Sequence, residues 1–154
     1  PFAAVAMEHK YKKTNDLFRG QRESKGIKVI PLRRAAWQAL RCIKDNSLLA
    51  LVGDIDYGGK TVLTDFFGKP ALLPSGPATM VLKTGVPLVL GFMIRNKDDT
   101  FTLRIEKPID LSHEASAGIE DPLVVINRYK GILERYIRQY PDQWYMFRKF
   151  AIKR

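Results

Sequence analysis

A chain of 154 residues, 45% of them hydrophobic, is long enough for one domain with a real core and too short for two ordinary ones. Its longest apolar run, Val86 to Ile94, is strand-sized and broken by Pro87 and Gly91, far short of the roughly 18 apolar residues a membrane-spanning helix needs. The net charge of +10 sits at the two ends: residues 1–45 carry eleven Lys or Arg against four acids, residues 46–127 seven against ten, and residues 128–154 eight against two, a distribution that draws nucleic acid, anionic headgroups or an acidic protein.

Phe2 to Met7 reads as a short buried strand, followed by a basic stretch and a polar helix from about Asp16 to Lys25, with Gly26 closing it. Ile27 to Ile30 is a strand stopped by Pro31. Arg33 to Asp45 is an amphipathic helix with Ala36, Trp37, Leu40 and Ile43 on its apolar face. Cys42, the one cysteine, lies within it; a single thiol allows neither an intramolecular disulfide nor a cysteine-based metal site, suits a reducing compartment, and is expected to be buried packing. Ser47 to Val52 is a continuous apolar run that predicts a central parallel strand buried on both faces. The glycine-rich loop Gly53 to Gly59 leaves its carboxyl end, where open α/β sheets bind ligands.

Thr61 to Leu73 reads as an extended segment, and Ser75 as the cap of a helix with Pro77 in its first turn and its end near Thr84-Gly85. Pro87 to Arg95 and Phe101 to Glu106 predict a hairpin at a sheet edge around the polar turn Asn96 to Thr100. A long helix runs from about Asp121 to Gln139, with Ile126, Tyr129, Leu133, Tyr136 and Tyr140 on one face and Arg128, Lys130, Arg135 and Arg138 on the other. Strands alternating with helices predict an α/β domain with a mostly parallel central sheet flanked by helices.

Four elements occur in order: Arg22-Glu-Ser-Lys-Gly-Ile-Lys-Val-Ile-Pro31, Gly53-Asp-Ile-Asp-Tyr-Gly-Gly59, Asp65-Phe-Phe-Gly-Lys-Pro70, and Pro74-Ser-Gly-Pro-Ala78 with Lys83-Thr-Gly-Val-Pro-Leu-Val89. Together they closely resemble the lipid A biosynthesis acyltransferase family, which includes the late acyltransferases of lipid A and the acyltransferases of phosphatidylinositol mannosides. The resemblance covers nearly the whole chain, and Pro141-Asp-Gln-Trp144 after the last helix matches the family's end. It implies a glycerolipid-acyltransferase-like fold, incomplete at the N-terminus, with residues 1–154 as the C-terminal part of a single acyltransferase domain. Where lipid A members finish in a Trp-x-Trp-x-His-Arg-Arg pattern this chain has Trp144-Tyr-Met-Phe-Arg-Lys-Phe150, which leaves a phosphatidylinositol mannoside or another glycolipid open as acceptor.

The chemistry the resemblance implies is acyl transfer from acyl-acyl carrier protein or acyl-CoA to a glycolipid hydroxyl, with no cofactor and no metal. A histidine of an H-x-x-x-x-D/E motif acts as general base. That motif is expected upstream of Phe2, because the fifth position after His9 is Thr14 and after His113 is Gly118. No catalytic residue is therefore expected in this chain, which alone should be inactive. Arg22 matches the family's arginine for a phosphate or the donor's pantetheine, a role suited to a guanidinium that makes paired bonds to phosphate oxygens. Glu23 either orients Arg22 or is solvated. Asp54 and Asp56 stand where the family has a D-x-D element, able to bond a sugar or glycerol hydroxyl, or serve as plain turn formers beside glycine.

The basic ends suit an acidic carrier protein and an anionic membrane surface, hence a peripheral position on the cytoplasmic face of a bacterial inner membrane. Two other readings stand beside this one: a metal-dependent glycosyltransferase-like enzyme using Asp54 and Asp56, and a non-catalytic basic binding module. Nucleic acid is not an expected partner, since Trp37 and Tyr129 fall on apolar helix faces and not among the basic residues as a stacking surface.

Overall fold

Short apolar segments that alternate with helices build the first part of the chain, and two hairpins on a helical core build the second. The computed structural model describes residues 1–54 and 59–146, and the chain divides into two compact units, Pro1–Val52 and Gly53–Arg154. The architecture is α/β.

In the first unit, Phe2–Ala6 (β1), Ile27–Pro31 (β2) and Leu48–Ala50 (β3) form a parallel sheet in the order β2-β1-β3. Lys12–Glu23 (α1) and Ala35–Lys44 (α2) make the crossovers that parallel pairing requires. Phe2 lies in register with both Ile27 and Leu48, so β1 takes the centre. Ala3, Ile30 and Cys42 form the buried core, with Val5, Ala35 and Leu49 packed against it, which places Cys42 in packing as its composition suggested. The turn into β2 uses Gly26 at φ +75°, a left-handed backbone that glycine adopts without strain.

Two local expectations fail here. Trp37 is 66% exposed and Ala36 is exposed too, while Ala39 and Cys42 are the buried residues of α2. Ala35, Ala39 and Cys42 form a second apolar stripe beside Ala36, Trp37 and Leu40, so periodicity alone does not choose between them. The small stripe Ala35, Ala39, Cys42 lets the backbone approach the sheet closely, and the bulk of Trp37 turns outward under the Arg41 guanidinium, 5.7 Å from its ring centroid. Likewise the run Ser47 to Val52 is no central strand: β3 is a three-residue edge, with Leu48 63% exposed, because β1 already occupies the middle.

In the second unit, Thr61–Phe66 (β4) and Lys69–Pro74 (β5) form an antiparallel hairpin where an extended segment is expected. Its two-residue turn, Phe67 at φ +56° and Gly68 at φ +71°, has the left-handed pair of a tight hairpin. Gly76–Thr84 (α3) follows, stopped by Gly85 in a left-handed conformation. Ser75 precedes this helix but caps nothing with its side chain; its hydroxyl donates to the Lys60 carbonyl at 3.0 Å, which also accepts from the Ser75 amide at 2.9 Å. Gly91–Arg95 (β6) and Phe101–Ile105 (β7) form the second hairpin, a two-stranded sheet of its own. Ser112–Ser116 (α4) leads to Pro122–Gln139 (α5), which Asp121 caps by accepting from the Leu123 amide at 2.9 Å. Val125, Ile126, Tyr129, Leu133 and Ile137 of α5 meet Phe66, Leu73, Val81 and Leu111 in one core.

Candidate functional site

The residues that motif and chemistry single out near the N-terminus gather on α1. This helix carries Arg22 in its last turn, where the helix dipole favours a cation. Between α1 and the carboxyl-terminal halves of β1 and β2 lies a notch of about 30 Å³, room for one water-sized group. Its floor comes from Ala6, Val29 and Pro31, Met7 and Glu8 border it after β1, and Asn15, Arg19 and Arg22 form its helical wall. Arg22 is half-buried. It donates to the Phe18 carbonyl at 3.3 Å and its guanidinium carbon stands 6.0 Å from the Phe18 ring centroid, contacts that fix its direction and leave most of its five donors available. The His9 ring stacks on the same Phe18 ring, with centroids 4.9 Å apart.

Glu23 does not orient Arg22. It pairs with Arg19 through a 2.7 Å bond one helical turn away, and this contact raises the Arg19 guanidinium above its already high value. Arg19 itself is the residue that sequence reasoning missed. Its signal was present, since residues three apart on a helix share a face, and Arg19 and Arg22 line the same notch. Chemically, the notch sets two guanidiniums, one of them paired with Glu23, beside an Asn side chain and the Glu8 carboxylate at the carboxyl end of parallel strands, and Arg22 is the one whose donors remain open to an oxyanion. The notch is far too small for an acyl chain.

The other candidates fall elsewhere. Asp54 belongs to the second unit, is half-buried, and makes no hydrogen bond or ion pair among the described residues. Asp56 lies outside the described residues. His113 sits in α4, and among the described residues no carboxylate is hydrogen-bonded to the ring of either histidine. The Asp65-Phe-Phe-Gly motif resolves into a braced turn. Asp65 accepts from the Gly68 amide at 3.2 Å, Glu134 of α5 accepts from the Phe67 amide at 2.9 Å, and Lys130 donates to the Thr64 hydroxyl and the Asp65 carbonyl, both at 3.2 Å. Phe66 is buried and Phe67 packs against the core, as adjacent phenylalanines usually do.

Parallel strands joined by helices, with Arg19 and Arg22 beside Glu8 at their carboxyl ends, define the first unit as α/β. Residues 1–150 match the family described as bacterial lipid A biosynthesis acyltransferase, and the chain belongs to that family. A phosphatidylinositol mannoside acyltransferase of Mycolicibacterium smegmatis is 29% identical over 152 residues, covering 95% of this chain and 47% of the relative. A protein of the same description from Mycobacterium tuberculosis is 33% identical over 92 residues, covering 57% of this chain and 29% of the relative. The chain thus spans about half the length of the M. smegmatis protein.

Proposed function

We propose that the protein containing this chain transfers a fatty acyl group from an acyl thioester to a hydroxyl of a glycolipid, and that this chain supplies a phosphate-binding arginine, Arg22. The observation that carries the reading is family membership over residues 1–150 together with a half-buried Arg22 at the carboxyl end of the parallel sheet. In such a reaction the acceptor hydroxyl attacks the thioester carbonyl, its proton passes to a base, and the carbon–sulfur bond breaks to release the carrier thiol. Arg22 and Arg19 would hold a phosphate of the donor's pantetheine arm or of the acceptor, so that the reacting groups meet in one geometry. The base is assigned to the H-x-x-x-x-D/E motif outside this chain, since neither His9 nor His113 has an acid at the fifth position after it, nor a carboxylate bonded to its ring among the described residues. Asp54 and Asp56 are assigned to an acceptor hydroxyl through their place in the D-x-D element. The relatives' names favour a phosphatidylinositol mannoside as acceptor over lipid A itself. The donor is acyl-acyl carrier protein or acyl-CoA, and the setting is peripheral, on the cytoplasmic face of a bacterial inner membrane, where the net charge of +10 meets anionic lipid.

The test is acyl transfer by the full-length protein and by its Arg22→Ala and Arg22→Lys variants, with acyl-acyl carrier protein or acyl-CoA and a panel of glycolipids. Loss of a charge-assisted contact of about 1.5–3 kcal/mol predicts a roughly tenfold or greater fall for Arg22→Ala, partly restored by Lys, with melting unchanged. The 154-residue chain alone should give no transfer above a no-enzyme control. Wild-type turnover in Arg22→Ala would return that residue to the helix surface, and transfer by the short chain that depends on His9 or His113 would relocate the base.

A further inference from the structure

Arg22 is a long side chain with many rotamers, and it binds best when its direction is set before a ligand arrives. Among the described residues it forms no ion pair, so its hold comes from other contacts. Helical side chains lean toward the N-terminus and meet the residue one turn earlier, which for Arg22 is Phe18. Nη1 of Arg22 donates to the Phe18 carbonyl at 3.3 Å, and the guanidinium carbon stands 6.0 Å from the Phe18 ring centroid, at the outer limit of a cation–ring attraction. Contacts this loose orient an arginine only if the ring beside it stays in place.

The segment between β1 and α1 holds that ring. His9 stacks on Phe18 with centroids 4.9 Å apart and planes 24° from parallel. His9 is itself fastened, because its backbone amide donates to Oδ1 of Asn15 at 3.2 Å. Asn15, Phe18 and Arg22 follow one another at three- and four-residue spacing and share a helical face. The segment is therefore tied at two points to the face that carries Arg22, and half-buried Asn15 borders the same notch. Core packing does not account for the phenylalanine. The buried cluster of this unit is Ala3, Ile30 and Cys42 with Val5, Ala35 and Leu49 against it, and α1 buries none of its residues. The ring contacts Phe18 makes are with His9 and Arg22.

We propose that Phe18 and His9 are positioning residues for Arg22. The Phe18 ring, held by the His9 imidazole, keeps the guanidinium directed before a phosphate arrives, and His9 serves as a stacking ring with no proton to transfer. This rests on the reading that Arg22 binds a phosphate of the donor or the acceptor, and it adds the residues that set its direction.

The experiment is a double-mutant cycle on acyl transfer by the full-length protein, with acyl-CoA as donor and a phosphatidylinositol mannoside as acceptor. Phe18→Leu keeps the bulk and removes the ring face; it should lower kcat/KM by about fivefold, the scale of a modest cation–ring contact, while Phe18→Tyr retains most of the parent value. His9→Ala should give a fall of the same kind, restored by His9→Phe, which keeps a stacking ring without the imidazole. In the Arg22→Ala background neither Phe18→Leu nor His9→Ala should lower transfer further, because the group they direct is gone. Melting should stay at the parent midpoint; should Phe18→Leu melt early, His9→Ala, which leaves the sequence of α1 intact, carries the same cycle. Parent-like transfer by Phe18→Leu or His9→Ala, or equal falls in the Arg22→Ala background, overturns the proposal and leaves Arg22 in its role. Parent-like transfer by Arg22→Ala overturns the Arg22 reading and this one with it. A fall in His9→Ala that His9→Phe does not restore would place the imidazole itself in the chemistry and overturn the positioning role.

Discussion

Tyr129 is buried in the core of the second unit, and its hydroxyl meets no hydrogen-bond partner among the described residues. Burial pushes this phenol up to about 12, because the charged form would lose its hydration with nothing in return. The neutral hydroxyl is also desolvated without compensation, so Tyr129→Phe should raise stability by about 1 kcal/mol, read as a higher urea midpoint at constant slope. A fall of similar size would mean that the hydroxyl is bonded after all. Phe67 shows a different tension. Its φ of +56° is unfavourable for a bulky residue, yet the ring is held by the Arg138 guanidinium 5.0 Å away and lies 6.2 Å from the Trp144 ring, while its amide is held by Glu134. The turn at Phe67-Gly68 was not anticipated: Thr61 to Leu73 reads as one extended segment in the sequence and forms a hairpin in the structure. The bracing by Lys130 and Glu134 was not legible, since the partners lie 66 and 67 residues away and nothing local encodes that contact.

Among the elements, α5 does most to fix the second unit, and its ion pairs make stability depend on pH. Glu106 is held below its usual value first by the Tyr136 hydroxyl and then by Arg135. Glu114 is lowered by its own backbone amide and by Arg128, which it meets at 2.8 Å. A depressed carboxylate contributes stability that is present above its unfolded value of 4.5 and lost as pH falls through the folded one. Tyr136 is raised by Glu106, so its share is present below 10.0 and lost as pH rises past the folded value. Urea midpoints should therefore decline below about pH 4.5, and Glu106→Gln should flatten both that limb and the alkaline one; a profile unchanged by the substitution would assign the decline to other groups. This helix was almost wholly legible beforehand, because an Asp cap, a proline in the first turn and apolar residues at three- and four-residue spacing agree. The face of α2 was not, since Ala35, Ala39 and Cys42 compete with Ala36, Trp37 and Leu40 as apolar stripes, and only closeness to the sheet decides between them.

For the whole molecule, the two units differ in how much they bury. The described core of the second unit includes Phe66, Leu111, Val125 and Ile126, all at or below 1% exposure, whereas that of the first consists of Ala3, Ile30 and Cys42. Local opening is easiest where few apolar contacts resist it. Amides of β1 and β2 should exchange with deuterium faster than those of α5 and β4 under native conditions, and equal protection would show that the chain opens as one cooperative body. Of the candidate site, the arginine at the end of α1 was visible through its motif, and the partnership of Glu23 with Arg19 was settled by helix geometry that the sequence left open.

The central place of β1 also sets an order of events during synthesis. Phe2 pairs with Ile27 on one side and Leu48 on the other, so β1 waits for two later segments before these two pairings form. At about 5–20 residues per second, the interval between making Phe2 and Leu48 is on the order of 2–10 s. During that time Ala3 and its neighbours lack the pairing that β2 and β3 supply.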